Sequence, residues 1–269
     1  MNCPYIIPFS KGGYFFVPLW KRGVRGDFLM PVFKLPDEHI FPPPDLAEDN
    51  GLLAVGGDLS ESRLLVAYSM GIFPWYSEGD PILWWSPDPR LVLFPKELKI
   101  SRSLRQTIKK GVFRATMDTA FEEVITNCAA IHRKDDGGTW ITDEMADAYI
   151  RLHHSGFAHS VEVRAEGELA GGLYGISLGS AFFGESMFTR KSNASKVAFA
   201  ALVQQLVKWK FSLIDCQITT PHLSGLGARE IPRSNFLEIL KSALQHPAKK
   251  EKWKIEDNCN ISFIQAGKP

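Results

Sequence analysis

The sequence predicts an α+β protein: a small mixed N-terminal domain followed by a larger domain with an antiparallel sheet and packed helices. Three observations lead there. Residues before Arg90 are dense in proline and turn signals around one short helical stretch. Helical spacing then governs residues 119–155. From His159 the hydrophobic period switches to two, and it returns to 3.6 only after Asn193.

At 269 residues the chain holds one large domain or two modest ones. With 45% apolar residues, 23% charged residues and a net charge of +1, it has the composition of an ordinary globular protein with no global pull toward polyanions. No apolar run nears the ~20 residues that span a bilayer. Cys3, Cys128, Cys216 and Cys259 are scattered, without metal spacing, which predicts a reduced, cytoplasmic protein. His153 and His154 are adjacent and would point about 100° apart on a helix, so neither a metal nor another cofactor is expected.

Residues 1–29 lack any periodicity and are broken by Pro8, Lys11 and Pro18. They are not a secretory signal and are expected to be disordered, or a non-native extension from an upstream start codon, since Met30 opens an ordinary beginning. Residues 30–90 form the predicted small domain and 91–269 the large one. Within the first, Asn50-Gly51 predicts a hairpin turn, and a helix is expected from Ser60 to a cap at Gly71. Phe73 to Pro95 then sets Trp75, Tyr76, Trp84 and Trp85 among four internal prolines. Proline removes a backbone donor, so this stretch is neither a long helix nor a central strand. It is a rigid aromatic ledge, suited to plugging a seam or to stacking on flat bases.

Lys96 to Arg114 carries seven Lys or Arg against one Glu. Leu98, Leu104 and Ile108 make it an amphipathic helix. Its outward cations, Lys99, Arg102, Arg105, Lys109 and Lys110, form either a solvated face or a phosphate track. Thr119 with Glu122 predicts a capping box for the next helix, and Thr142 starts another that ends at Gly156. The loop between them ends at Trp140. HSVEVRA, ELAGGLYGISLG and SAFFGESMF follow as three antiparallel strands. Ser192 or Asn193 caps a long helix whose Phe199, Leu202, Val203 and Leu206 share a face. LIDCQI is a strand, and a last helix begins near Pro232.

Two places in this order could carry chemistry. On the Leu213–Ile218 strand, alternation puts Asp215 and Gln217 on one face and turns Cys216 away with Ile214 and Ile218, so Cys216 is read as an inert buried thiol. Asp215 and Gln217 offer a carboxylate beside an amide. Glu185 is the sole charge between Ser177 and Phe188. Strict alternation would separate it from Phe182, whereas a bulge at Gly184 would bring the two together.

Helices, antiparallel strands, then helix, strand and helix is an order that resembles the GNAT acetyltransferase fold. Longer stretches are more specific: NGLLAVGGDLS, GIFPWYSEGDPILWWSPDPR, GTWIT, GLYG, FGESMF, NASK, LIDCQ and GAREIPR. From Phe41 to about Phe236 the chain resembles the bacterial leucyl/phenylalanyl-tRNA–protein transferase family. The resemblance implies transfer of leucine or phenylalanine, and of methionine too, from aminoacyl-tRNA to the N-terminal Arg or Lys of acceptor proteins, marking them for degradation. Separately from the resemblance, the chain is expected to be a monomer with no membrane attachment. Matches place Asp215 and Gln217 at the reacting centre and Glu185 on the terminal adenosine and ester. They give Leu173, Phe182, Phe199, Leu202, Leu206 and Ile214 to a pocket for the transferred side chain. Trp75 and Trp140 flank the adenosine. Leu173 stands where methionine is familiar, which implies a slightly stiffer pocket. A GNAT acetyltransferase would need a glycine-rich phosphate loop, and MFTRKSNASK has no glycine run; Lys191 and Lys196 are assigned instead to tRNA phosphates. A non-catalytic tRNA-binding module would leave Asp215 and Gln217 without a purpose.

Overall fold

The computed structural model describes residues 32–132 and 140–256. The expectations for residues 1–29 and for the loop leading to Trp140 fall outside them. Backbone pairing sorts the strands into two sheets. The smaller holds β1 (Phe33–Lys34), β2 (Leu52–Val55), β3 (Phe73–Pro74) and β4 (Leu83–Trp85), in the order β1-β2-β4-β3. Proline explains these bounds: Pro81 and Pro87 lie just outside the central strand β4, and Pro74 is confined to the edge strand β3. Asn50-Gly51 makes a turn but not the expected hairpin. The segment before it coils into a 3-10 turn at Pro44–Leu46, so only β2 follows as a strand. Helix α1 (Glu61–Ser69) starts as expected, with the Ser60 hydroxyl accepting the Arg63 N–H. It is followed by Gly71 at φ 72°.

The larger sheet has seven strands: β5 (Arg90–Leu93), β6 (Arg114–Met117), β7 (Ala158–Ala165), β8 (Glu168–Leu178), β9 (Ala181–Thr189), β10 (Leu213–Gln217) and β11 (Arg229–Ile231). Their order is β11-β5-β10-β9-β8-β7-β6. The three strands expected after His159 are β7 to β9, and LIDCQ is β10. Strands β5, β6 and β11 are three or four residues each, too short to show a period of their own. The remaining helices are α2 (Arg102–Lys109), α3 (Phe121–His132), α4 (Asp143–His154), α5 (Ala194–Lys208), α6 (Pro221–Gly225) and α7 (Arg233–Ala243).

Two caps differ from expectation. The Thr119 hydroxyl donates to Glu162 Oε2 at 2.6 Å, drawn off by a buried carboxylate. Asn193 sits before α5 at φ 70° without a side-chain cap, and the Thr189 hydroxyl accepts the Ser195 N–H instead.

Both faces of the large sheet are covered. Helices α3 and α4 share one core with Tyr174, Ile176, Phe183 and Phe188, and that core runs on into α1 and the small sheet. Helix α5 lies on the opposite face with Val161, Val163, Leu173 and Phe182. It also carries the chain from β9 to β10, the only parallel pair described in this sheet. Pairing between those two strands runs from Leu213↔Ala181 to Asp215↔Phe183 and stops there, although β9 continues to Thr189. The cavity opens at this gap.

Candidate active site

Each strand bordering the gap carries a bulge. Across β8 and β9 the register passes from Tyr174↔Ser186 to Gly175↔Gly184, leaving Glu185 as the extra residue. Across β5 and β10 it passes from Val92↔Asp215 to Leu91↔Gln217, leaving Cys216 unpaired and Gln217 at φ 62°. An extra residue reverses the faces that follow it. Phe182 and Glu185 therefore both line the cavity, as a bulge would require. On β10 the bulge overturns simple alternation: Gln217 joins Ile214, Cys216 and Ile218 on the cavity wall, and Asp215 is left behind it. Cys216 faces the cavity too, but burial pushes its thiol well up and keeps it a weak nucleophile.

The cavity has a volume of about 420 Å³. Leu173, Phe182, Phe199, Leu202 and Ile214 give it an apolar wall, and Trp75 and Trp140 stand at its margin. Trp75 is 42% exposed and lies against Trp85 with ring centroids 5.8 Å apart. Leu206, expected in the wall, is fully buried one turn beyond Leu202 and does not reach the cavity.

The polar end of the cavity is a chain of hydrogen bonds. Gln217 Nε2 donates to Glu185 Oε1 at 3.0 Å, and the Tyr149 hydroxyl donates to Glu185 Oε2 at 2.8 Å. Tyr149 has one proton to give, so in its contact with the Tyr68 hydroxyl it accepts. Burial pushes the Glu185 carboxyl up to about 7, against the opposing pull of the tyrosine hydroxyls. Tyr174 also lines the cavity, and its buried hydroxyl has no partner among the described residues. Burial and the Lys196 charge lower the pKa of His222, a lining residue on α6.

Asp215 is wholly buried and forms a bidentate pair with Arg90, at 2.8 Å to Nε and 2.6 Å to Nη2. The Arg90 guanidinium is itself held between the rings of Phe73 and Phe236. Oδ1 of Asp215 also accepts the Gln217 N–H at 2.9 Å. Its charge is thus already matched, and its contact with the site runs through the backbone bend that aims Gln217.

None of the seven cations expected on tRNA lines the cavity. Lys99, Arg102, Lys109 and Lys110 are exposed, and Arg105 is half-buried, on or beside α2. Lys191 is exposed and paired with Glu166, whereas Lys196 is half-buried near His222.

The leucyl/phenylalanyl-tRNA protein transferase family model matches residues 92–241, and the model of that family's N-terminal domain matches residues 57–88. This chain belongs to that family. A leucyl/phenylalanyl-tRNA–protein transferase of Syntrophobacter fumaroxidans is 60% identical over 230 residues, covering 86% of this chain and 98% of that one. One from Desulfatibacillum aliphaticivorans is 58% identical over 233 residues, 87% of this chain and 100% of the other. Among solved structures, L-PGS from Bacillus licheniformis aligns at a TM-score of 0.36 and 9% identity over 63% of this chain and 54% of that one, too slight a likeness to bear on fold or function.

For this member of the transferase family, the sequence reading overlooked Arg90, Tyr68, Tyr149 and Tyr174. Arg90 carried a usable signal, a lone charge at the head of the apolar run LVLF, the same kind of anomaly that singled out Glu185. The tyrosines sit at ordinary helix and strand core positions and gave none.

Proposed function

We propose that this protein transfers leucine or phenylalanine from aminoacyl-tRNA to the N-terminal Arg or Lys of acceptor proteins, forming a peptide bond that marks them for degradation. The observation that supports this most directly is the Glu185–Gln217 contact at the edge of an apolar cavity of about 420 Å³. Family membership supplies the donor and acceptor classes. The cavity exceeds what one amino-acid side chain needs, so the ester and part of the adenosine share it with the side chain. Leu173, Phe182, Phe199, Leu202 and Ile214 hold that side chain, with Leu206 packed behind them, and Trp75 and Trp140 stack on the terminal base. Methionine, unbranched and apolar, suits the same pocket, because apolar walls discriminate weakly.

The ester is already activated, so alignment contributes most of the rate. The acceptor α-amine attacks the ester carbonyl carbon, the bond to the tRNA ribose oxygen breaks, and the amine proton ends on that oxygen. Ionised Glu185 attracts the cationic acceptor, and the Gln217 amide oxygen accepts from its amine as the tetrahedral centre forms. Asp215 acts one step back, since Arg90 neutralises it and its Oδ1 fixes the Gln217 backbone.

We also read the large sheet as GNAT-like, supported by the parallel β9–β10 pair that parts at the site. Two domains meeting near Arg90 suit the change from the small sheet to the large one at that residue. We read the enzyme as a monomer acting in the cytoplasm, in keeping with a substrate carried on tRNA. Among the described residues no helix is long and apolar enough to cross a membrane.

The direct test incubates the purified chain with an Arg-initiated peptide and either labelled leucyl-tRNA or labelled acetyl-CoA. Label from leucyl-tRNA is expected in the peptide. Label from acetyl-CoA alone would overturn the assignment.

A further inference from the structure

Phe182 lines the cavity, and an aromatic ring of the C-terminal segment packs beside it. On the sheet side Phe182 lies against Gly175, where an added Cβ would fall 2.6 Å from its Cζ. Beside it stands Trp253, 1% exposed, with ring centroids 5.9 Å apart. Trp253 does not itself line the cavity.

An elaborate set of contacts fixes this one indole. Its ring stacks on His159 at 3.8 Å and 7°. Its backbone N–H donates to Asp118 Oδ2 at 2.7 Å, and its Nε1–H donates to the Lys249 carbonyl at 3.0 Å. Asp118 is buried at φ 52°, accepts the Ser160 N–H and lies 2.8 Å from His159 Nδ1. A strap of chain beyond residue 241, where the family match ends, is thereby pinned to β7 directly behind the cavity wall.

We propose that Trp253 is a positioning residue for donor selection: it holds Phe182 forward and so sets the depth of the side-chain pocket. This rests on the reading that Phe182 faces the transferred side chain. A ring confined between Gly175 and an immobilised indole cannot tilt, whereas a void behind it would let it retreat and deepen the pocket.

The test compares kcat/KM for leucyl-, phenylalanyl- and tryptophanyl-tRNA in the full chain. Trp253→Leu is expected to raise the phenylalanyl and tryptophanyl rates relative to leucyl by about tenfold, the low end of what one methylene confers in an apolar pocket. Trp253→Phe, which keeps a flat ring, should restore most of the native ratio. Should Trp253→Leu fail to fold, Asp118→Asn loosens the strap without removing volume and should shift the ratio the same way by a smaller factor. Phe182→Ala is the control on the pocket itself. If it moves the ratio while the folded Trp253 and Asp118 variants lose all donors in equal proportion, the positioning role is overturned. If Phe182→Ala leaves the ratio unchanged, the pocket reading fails and takes this inference with it.

Discussion

In the proposed reaction Glu185 must ionise to attract a cationic acceptor, yet it stands in a site that resists charge. Its carboxyl is pushed up to about 7 from an ordinary 4.5, with burial as the largest cause. Between those values the folded protein keeps a proton that the unfolded chain has released, so this group's contribution to stability is greatest below about 4.5 and is lost as pH rises through about 7. Glu185→Gln should flatten that slope in urea melts between pH 5 and 7. The same variant should remove the rise in transfer rate near pH 7 and leave only the acceptor-amine limb at about 8. A rate profile identical to wild type would show that Glu185 takes no part. Glu185 was legible in the sequence because a lone carboxylate in an apolar strand is anomalous. The partners that tune it were not, because Tyr68 and Tyr149 arrive from helices α1 and α4, far away along the chain.

Among the elements, helix α2 keeps the amphipathic pattern expected of Lys96–Arg114 only over Arg102–Lys109; Leu98 and Lys99 lie before it, and Arg114 opens β6. The Ser101 hydroxyl accepts the Leu104 N–H, Leu104 and Ile108 are buried, and Arg102, Lys109 and Lys110 are exposed while Arg105 is half-buried. If that face meets tRNA, Lys109→Ala with Lys110→Ala should weaken tRNA binding and lower the salt slope by nearly two, since each lost phosphate contact releases about one counterion fewer. An unchanged slope would return α2 to a plain solvated surface. Strand β10 shows where element-level reading stops. Five residues with clean alternation put Asp215 and Gln217 together, but the bulge at Cys216 turns them apart. A bulge depends on the neighbouring strand's register, which β10's own residues do not encode.

Across the whole molecule, Arg90 and Asp215 join segments 125 residues apart, and the flanking Phe73 and Phe236 bring β3 and α7 into the same cluster. Removing one charge of a fully buried pair strands the other, so Asp215→Ala should cost about 3–5 kcal/mol in urea unfolding. Replacing both by apolar residues should recover much of that stability, as buried pairs often break even against a packed core. Transfer should stay low in the double variant, because Gln217 has lost the acceptor for its backbone N–H. Recovery of transfer along with stability would show that Asp215 serves the fold alone.

Local chemistry, read from the chain alone, determined the α+β order, the main helices, the three central strands and the residues worth watching. Propensity, caps and hydrophobic period are properties of neighbouring residues, so one sequence suffices to see them. Which side chains meet was decided only by the tertiary structure. Two bulges, a buried ion pair and the end of the parallel β9–β10 pairing placed Glu185 with Gln217 on the cavity and Asp215 behind it. Each of those features arises between segments distant in the chain, where desolvation and strand register, rather than local preference, choose the partner.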